Sequence, residues 1–247
     1  MLAAATVDKD WAPRDVSVSA ANDRLRALLT GYLRTQFADR PDLMEKCLPK
    51  YPPAAKRLVL DNGTWAATLK RENVRVVSDG IREVTASGVV AGDGVEYPAD
   101  VIIYGTGFQA SKFLTPMRVT GRGGADLHAQ WDGDARAYMG ITVPQFPNLF
   151  LLYGPNTNIV VNGSIIYFSE CEVRYVLGCI KLLLDEGKRA LDCRQEVHDA
   201  YNERIDRANL QRAWGVSDVS SWYKNDKGRV AQNWPFNYDA ALKKELA

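Results

Sequence analysis

The chain has little cysteine, almost no histidine and no excess of either charge. Its 247 residues include four cysteines (Cys47, Cys171, Cys179, Cys193) and two histidines, His128 and His198. No cysteine pair forms C-x-x-C, which argues against a cysteine-based zinc site. Free thiols in a reducing cytoplasm are the expected state, and no metal site is expected. The 31 Lys+Arg residues against 30 Asp+Glu leave a net charge of +1. That balance gives no basis for non-specific attraction to nucleic acid or to an anionic membrane. No apolar run approaches the roughly 20 residues that span a bilayer. Asp8, Asp10 and Asp15 stand where a signal peptide would need basic and then apolar residues, so no leader and a cytoplasmic location are expected. There is no internal repeat and no low-complexity tract. What is left is a chain long enough for one large domain or two small ones with a sizeable core.

The first 20 residues read as polar and irregular. Leu25, Leu28, Leu29, Tyr32, Leu33 and Phe37 then recur at helical spacing, with Asn22 or Asp23 placed to cap the helix. After a proline-rich connection, strand signals appear at 56–60, 73–79 and 81–90. Gly92-Asp93-Gly94 reads as a hairpin turn. The apolar runs Val101–Tyr104 and Leu149–Tyr153 read as buried strands. A long helix is expected from Ser164 to Glu186, stopped by Gly187, with an apolar face of Ile165, Phe168, Val173, Val176, Leu177, Ile180 and Leu184. A second helix is expected over Val197–Trp214. Trp131 and Tyr138 read as packing under an irregular loop, and His198 as a solvated residue on a charged helix.

The segment Gly105-Thr106-Gly107-Phe108-Gln109-Ala110 has the form G-x-G-x-x-A after an apolar run. A dinucleotide fingerprint needs a helix directly after its glycines. Here Pro116 follows nine residues after Gly107, and Gly121, Gly123 and Gly124 come soon after. A stand-alone NAD-dependent enzyme built on Gly105 and Gly107 is therefore the weaker reading. The other is a strand whose carboxyl end brings small residues beside a cofactor held elsewhere. Gly154-Pro155-Asn156 ends the second apolar run in the same manner. Its loop leads to the N-terminus of the long helix, where free N–H groups favour negative charge.

Four segments in order carry a resemblance: KRLVLDNGTWAATLKRENVRVV (56–77), ADVIIYGTGF (99–108), DLHAQWDGDARAYMGITVPQFPNLFLLYGPNTN (126–158) and SSWYKN (220–225). Together they resemble the C-terminal part of flavin-dependent Baeyer–Villiger monooxygenases, the 4-hydroxyacetophenone monooxygenase type above all. The resemblance implies an α/β fold, the C-terminal portion of a flavoprotein with two Rossmann-like dinucleotide-binding domains and incomplete sheets. It divides the chain into 1–97, the C-terminal part of the NADP-binding domain with a helical lead-in, and 98–247, the C-terminal part of the FAD-binding domain with a tail. It implies FAD and NADPH as cofactors, and O2 as co-substrate with a ketone, an aryl ketone in the nearest subfamily. The ketone becomes an ester or lactone through a peroxyflavin.

By the same resemblance, Lys56 contacts the 2′-phosphate of NADPH, and Arg57 sits by the flavin and stabilises developing negative charge. A guanidinium is a permanently charged, rigid donor fork, and a lysine suits a phosphate as a point charge. The alternative is two solvated basic residues at a strand edge. Gly105, Thr106 and Gly107 match the family's Ala-Thr-Gly at the junction of the nucleotide domains, with Gly in place of Ala. Gly154, Pro155 and Asn156 match a segment against the flavin ring, and Asn162 is the polar loop residue placed near the cofactor, or else a helix cap. Trp222 matches a tryptophan that holds the nicotinamide nucleotide; with Trp234 it could instead anchor the tail. The family's two G-x-G-x-x-G segments and its F-x-G-x-x-x-H-x-x-x-W fingerprint are missing from this sequence. Their absence implies an upstream-encoded N-terminal half as partner, and a chain that is inactive alone. It also leaves open a flavin-containing N- or S-oxygenase fragment, or a non-catalytic docking half of a split protein.

Overall fold

The computed structural model describes residues 2–12, 14–59, 61–161, 163–216 and 218–236. Its elements, in chain order, are α1 (Leu2–Ala5), α2 (Ala20–Gln36), α3 (Pro41–Cys47), α4 (Thr64–Leu69), β1 (Ile81–Val84), β2 (Gly88–Ala91), β3 (Glu96–Pro98), α5 (Leu127–Trp131), α6 (Ile165–Asp185), α7 (Gln195–Asn209) and α8 (Ala213–Val216). They cluster into two compact units. One takes in Met1–Leu25, Tyr51–Leu58 and Gln109–Ala247, the other Arg26–Lys50 and Val59–Phe108. The fold class is α/β with a partial sheet: three antiparallel strands in the order β1-β2-β3.

The helices form where local signals are strong. Ser164 caps α6, its Oγ accepting from the Tyr167 N–H, and Gly187 at φ +61° ends it in the left-handed conformation that glycine tolerates best. The cap of α2 is Ser19, not Asn22 or Asp23: the Ser19 Oγ accepts from the Asn22 N–H at 3.2 Å. Asn22 lies fully buried inside the first turn and spends its amide on the carbonyls of Ala4 and Pro53, at 2.6 and 3.0 Å. The expected helix over 197–214 divides into α7 and α8. The first 20 residues are less irregular than expected, since they include α1.

The strands depart further from expectation. Ile81–Val90 is a hairpin of β1 and β2, and Gly92-Asp93-Gly94 turns β2 into β3 as the sequence indicates. The segments 56–59, 73–79, 101–104 and 149–153 carry no ladder. Val101, Ile103 and Tyr104 are exposed, as are Leu152 and Tyr153, while Leu151 is buried. Apolar composition marks a strand fit for a two-sided interior, but only a neighbouring strand satisfies its backbone. Among the described residues these runs have no such neighbour.

The first unit holds three cores. Met139, Ile141, Phe168, Tyr201, Ile205 and Trp234 form one. Ala5, Val18, Ala54, Trp214, Tyr223 and Val230 form the second, and Leu127, Trp131, Val143, Phe146 and Leu151 the third. Trp131 and Tyr138 pack as expected of them, and Trp234 anchors the tail. The second unit has its own small core of Phe37, Leu43 and Ala66, with Trp65 edge-on to Phe37 at 5.9 Å. His198 is buried, not solvated, with Nδ1 2.8 Å from the Asp199 carboxylate, because α7 turns it toward the interior.

Gly154 is fixed by packing: a Cβ there would lie 2.0 Å from the Gly140 carbonyl oxygen. Gly154→Ala should therefore destabilise the chain by about 1–3 kcal/mol, read as a Tm lowered by several degrees. Gly178, inside α6 with nothing within 4 Å of the same position, should respond oppositely, Gly178→Ala raising stability by about 0.5–1 kcal/mol.

Candidate functional site

Among the expected site residues, the first unit brings Arg57 and the 154–156 turn into one neighbourhood. Arg57 lies in the extended segment after the buried Pro52–Ala55 and is exposed. Its Nη1 reaches the Val160 carbonyl at 3.4 Å. The guanidinium also lies close enough to the phenols of Tyr153 and Tyr223 to act on both. Partial desolvation of Tyr153 and burial of Tyr223 push both phenol pKa values up, and the Arg57 charge works against that rise. The Tyr223 hydroxyl is buried, and the Arg57 guanidinium acts on it through its charge. Lys56, half-buried, holds its ammonium 5.3 Å from the centre of the Tyr51 ring. Trp222 is partly exposed and lies against Tyr223, with ring centres 4.8 Å apart.

The turn that the resemblance sets against a flavin is held by the chain itself. Tyr153 and Asn156 both sit at positive φ, +57° and +60°. The Asn156 side chain is fully committed: Nδ2 donates to the Val230 and Asn233 carbonyls at 2.7 and 3.2 Å, and Oδ1 accepts from Arg229 Nη1 at 3.0 Å. What the turn can offer a ligand is its shape and the groups around it, not the Asn156 amide. Tyr153 donates its hydroxyl to Asn158 Oδ1 at 2.9 Å. Gly105, Thr106 and Gly107 belong to the second unit, in an exposed extended segment where Gly107 has φ +86°. Nothing lies within 4 Å of a Cβ built at Gly105 or Gly107. Asn162 lies outside the described residues.

Two charged groups at this site escaped the sequence reading. Arg229 has no motif around it. Glu172 had a signal: an acid four residues after Phe168, on the face of α6 that helical spacing turns inward. Glu172 is only 2% exposed, and its carboxylate accepts the Tyr153 N–H on both oxygens, at 3.3 and 3.1 Å. Burial pushes its pKa from 4.5 up to about 7, the Tyr153 N–H opposing the rise. The Arg57 guanidinium near Tyr153 and Tyr223, with the exposed Trp222 indole against Tyr223, fits the anionic edge of a nucleotide cofactor. This set does not include the glycine-rich cradle for a pyrophosphate.

The Glu172 geometry predicts a stability profile. Its folded pKa lies above its unfolded value, so the folded chain holds the proton more tightly. Stability should fall as pH rises from about 4.5 to 7, by up to roughly 3 kcal/mol from this group. Urea unfolding across that range should show the slope in the wild type and a flatter one in Glu172→Gln. An identical slope in both would assign it to other groups.

No family model matches the chain. Curated relatives do. An uncharacterized monooxygenase of Sinorhizobium fredii is 38% identical over 230 residues, spanning 93% of this chain and 35% of the relative. A Baeyer-Villiger monooxygenase of Pseudomonas aeruginosa is 37% identical over 212 residues, or 85% of this chain and 40% of that protein. Among solved structures, oxidized steroid monooxygenase bound to NADP superposes with a TM-score of 0.78 at 29% identity, covering 92% of this chain and 42% of that one. OTEMO in complex with FAD and NADP gives a TM-score of 0.79 at 25% identity, covering 92% and 42%. The chain thus spans about two fifths of the length of the relatives it matches. In sequence and in fold, it belongs with the C-terminal part of the Baeyer–Villiger-type flavin monooxygenases.

Proposed function

We propose that the chain supplies one part of a monooxygenase that uses NADPH and O2 to convert a ketone, an aryl ketone by its nearest resemblance, into an ester or lactone. The observation that carries this reading is Arg57: an exposed guanidinium set beside two phenols at the turn that resembles the flavin-facing segment. FAD, when bound and reduced by NADPH, supplies the oxygen chemistry. The chain's own part is electrostatic and positional. Arg57 offers a fixed positive charge where negative charge develops on oxygen, and needs no proton transfer to do so. Lys56 offers a point charge to the 2′-phosphate that distinguishes NADPH from NADH. Trp222 offers an exposed indole plane and a donor N–H to the nicotinamide nucleotide. Gly105, Thr106 and Gly107 leave room for close backbone approach, and Asn162, outside the described residues, is a candidate polar contact by the resemblance alone.

The test uses the chain completed as a single polypeptide, fused behind the unmatched part of the Pseudomonas aeruginosa relative. Arg57→Ala should lower kcat for ester formation on the order of a hundredfold or more while flavin is retained. Lys56→Ala should raise the KM for NADPH on the order of tenfold and leave that for NADH nearly unchanged. Equal responses to the two cofactors would remove Lys56 from the phosphate contact. An Arg57→Ala enzyme with normal turnover would remove the proposed role of the guanidinium.

A further inference from the structure

Among the described residues the Tyr153 N–H has one acceptor, and that acceptor is an acid. Glu172, on the buried side of α6, takes it on both carboxylate oxygens, at 3.3 and 3.1 Å. Tyr153 carries a side chain at φ +57°, in the left-handed region that persists in a non-glycine residue only where its surroundings fix it. At its other end Tyr153 donates its hydroxyl to Asn158 Oδ1 at 2.9 Å, and Asn158 Nδ2 donates to Asn233 Oδ1 at 2.8 Å. Tyr153 thus spans from α6 to the tail, with Arg57 acting on its phenol. The guanidinium is lightly held, its Nη1 3.4 Å from the Val160 carbonyl. The place of Tyr153 therefore shapes the surroundings of Arg57.

A glutamine would accept the same N–H without the cost of a buried charge. Among the described residues no cation pairs with Glu172. The titratable and charged groups facing this contact are the Tyr153 phenol and, around that phenol, Arg57 and the Tyr223 phenol. On α6 itself Glu170 and Arg174 line a separate depression, and the Tyr175 hydroxyl is engaged with Cys179. Burial holds the Glu172 pKa at about 7, so both of its protonation states are populated near neutrality. The ionised carboxylate is the stronger acceptor and offers two oxygens. The protonated form keeps one, and its O–H must find a partner of its own.

We propose that Glu172 is a positioning residue for the Arg57 site: its ionised carboxylate pins Tyr153 beside the guanidinium, and its protonated form lets the turn slacken. The inference rests on the reading of that site given above. Its sign runs against that of global stability. Raising pH toward 7 costs the chain folding free energy and at the same time tightens this one contact. A carboxyl with a structural role alone would move both in the same direction.

The test is an NMR titration of the isotope-labelled 247-residue chain across neutral pH. As pH rises, the Tyr153 amide proton should move downfield. The Tyr153 phenol carbon, identified by its loss in Tyr153→Phe, and the Arg57 Nε–H should shift with it. All three should share the midpoint of the Glu172 carboxyl carbon, about 7. Glu172→Gln should abolish the three steps. Should that variant fail to fold, the shared midpoint in the wild type still decides. No step at the Tyr153 amide, steps that persist in Glu172→Gln, or an amide step with the phenol and Arg57 signals unmoved would each overturn the inference. In the single-chain fusion, kcat should rise about fivefold through the same midpoint, and Glu172→Gln should stay flat at the low-pH level with KM for NADPH unchanged. Identical pH profiles in the two enzymes would also overturn it. A fusion with no turnover at all removes the function proposed for the site, and the NMR titration then decides the positioning role by itself.

Discussion

The first unit is organised around one largely enclosed cation. Arg229, whose side chain is 12% exposed, pairs with Asp134 and Asp206. It also donates to the Ala135 carbonyl at 2.6 Å and to Asn156 Oδ1 at 3.0 Å. A guanidinium removed from water is tolerated only when its donors are satisfied, so the loop after α5, the 154–156 turn, α7 and the tail must converge on it. The convergence propagates. The Asn156 and Asn158 N–H groups bond to the carbonyls of Ala231 and Gln232, and the Ala231 N–H in turn bonds to the Tyr223 carbonyl at 3.0 Å. Turn and tail are therefore one object, and Tyr223 reaches the neighbourhood of Arg57 because of it. Asp134 shows the strength of the arrangement: burial pushes its pKa up, yet Arg229 and Arg136 hold it below the usual carboxylate range.

Helices were legible in the sequence because their signals are local. Ser164, Gly187 and the 3.6-residue period placed α6 to within a residue or two at each end. Hairpin chemistry was legible for the same reason at Gly92-Asp93-Gly94. The runs 101–104 and 149–153 were legible as apolar but not as strands, because a strand is a relation between two segments and the second is not among the described residues. Burial of single polar residues was the least legible. His198 read as a solvated group and Asn22 as a helix cap, and only tertiary contacts bring them inside. Of the site, Lys56, Arg57 and the 154–156 turn could be found through the resemblance. Tyr153 and Tyr223 stand in the same segments without a role assigned to them, and Glu172 showed only as an acid on the inward face of α6, because each acts through a neighbour distant in sequence.

The groups around Arg57 lie in a chain that spans about two fifths of the length of the relatives it matches. The cationic and aromatic groups proposed to face a nucleotide rest on an extensive hydrogen-bonded frame. The glycine-rich elements that grip a pyrophosphate are not in the sequence. On the proposed function, the groups that shape reactivity are separated in the sequence from those that supply most of the cofactor affinity.

That division is tested most directly by titrating the purified 247-residue chain with FAD and following flavin fluorescence. A folded chain that takes up no stoichiometric FAD is expected, because a cationic, aromatic edge without a pyrophosphate cradle does not hold the dinucleotide. Tight one-to-one binding by the chain alone would contradict it, and would mean that the 154–164 loop and the N-terminus of α6 are sufficient for a complete flavin site.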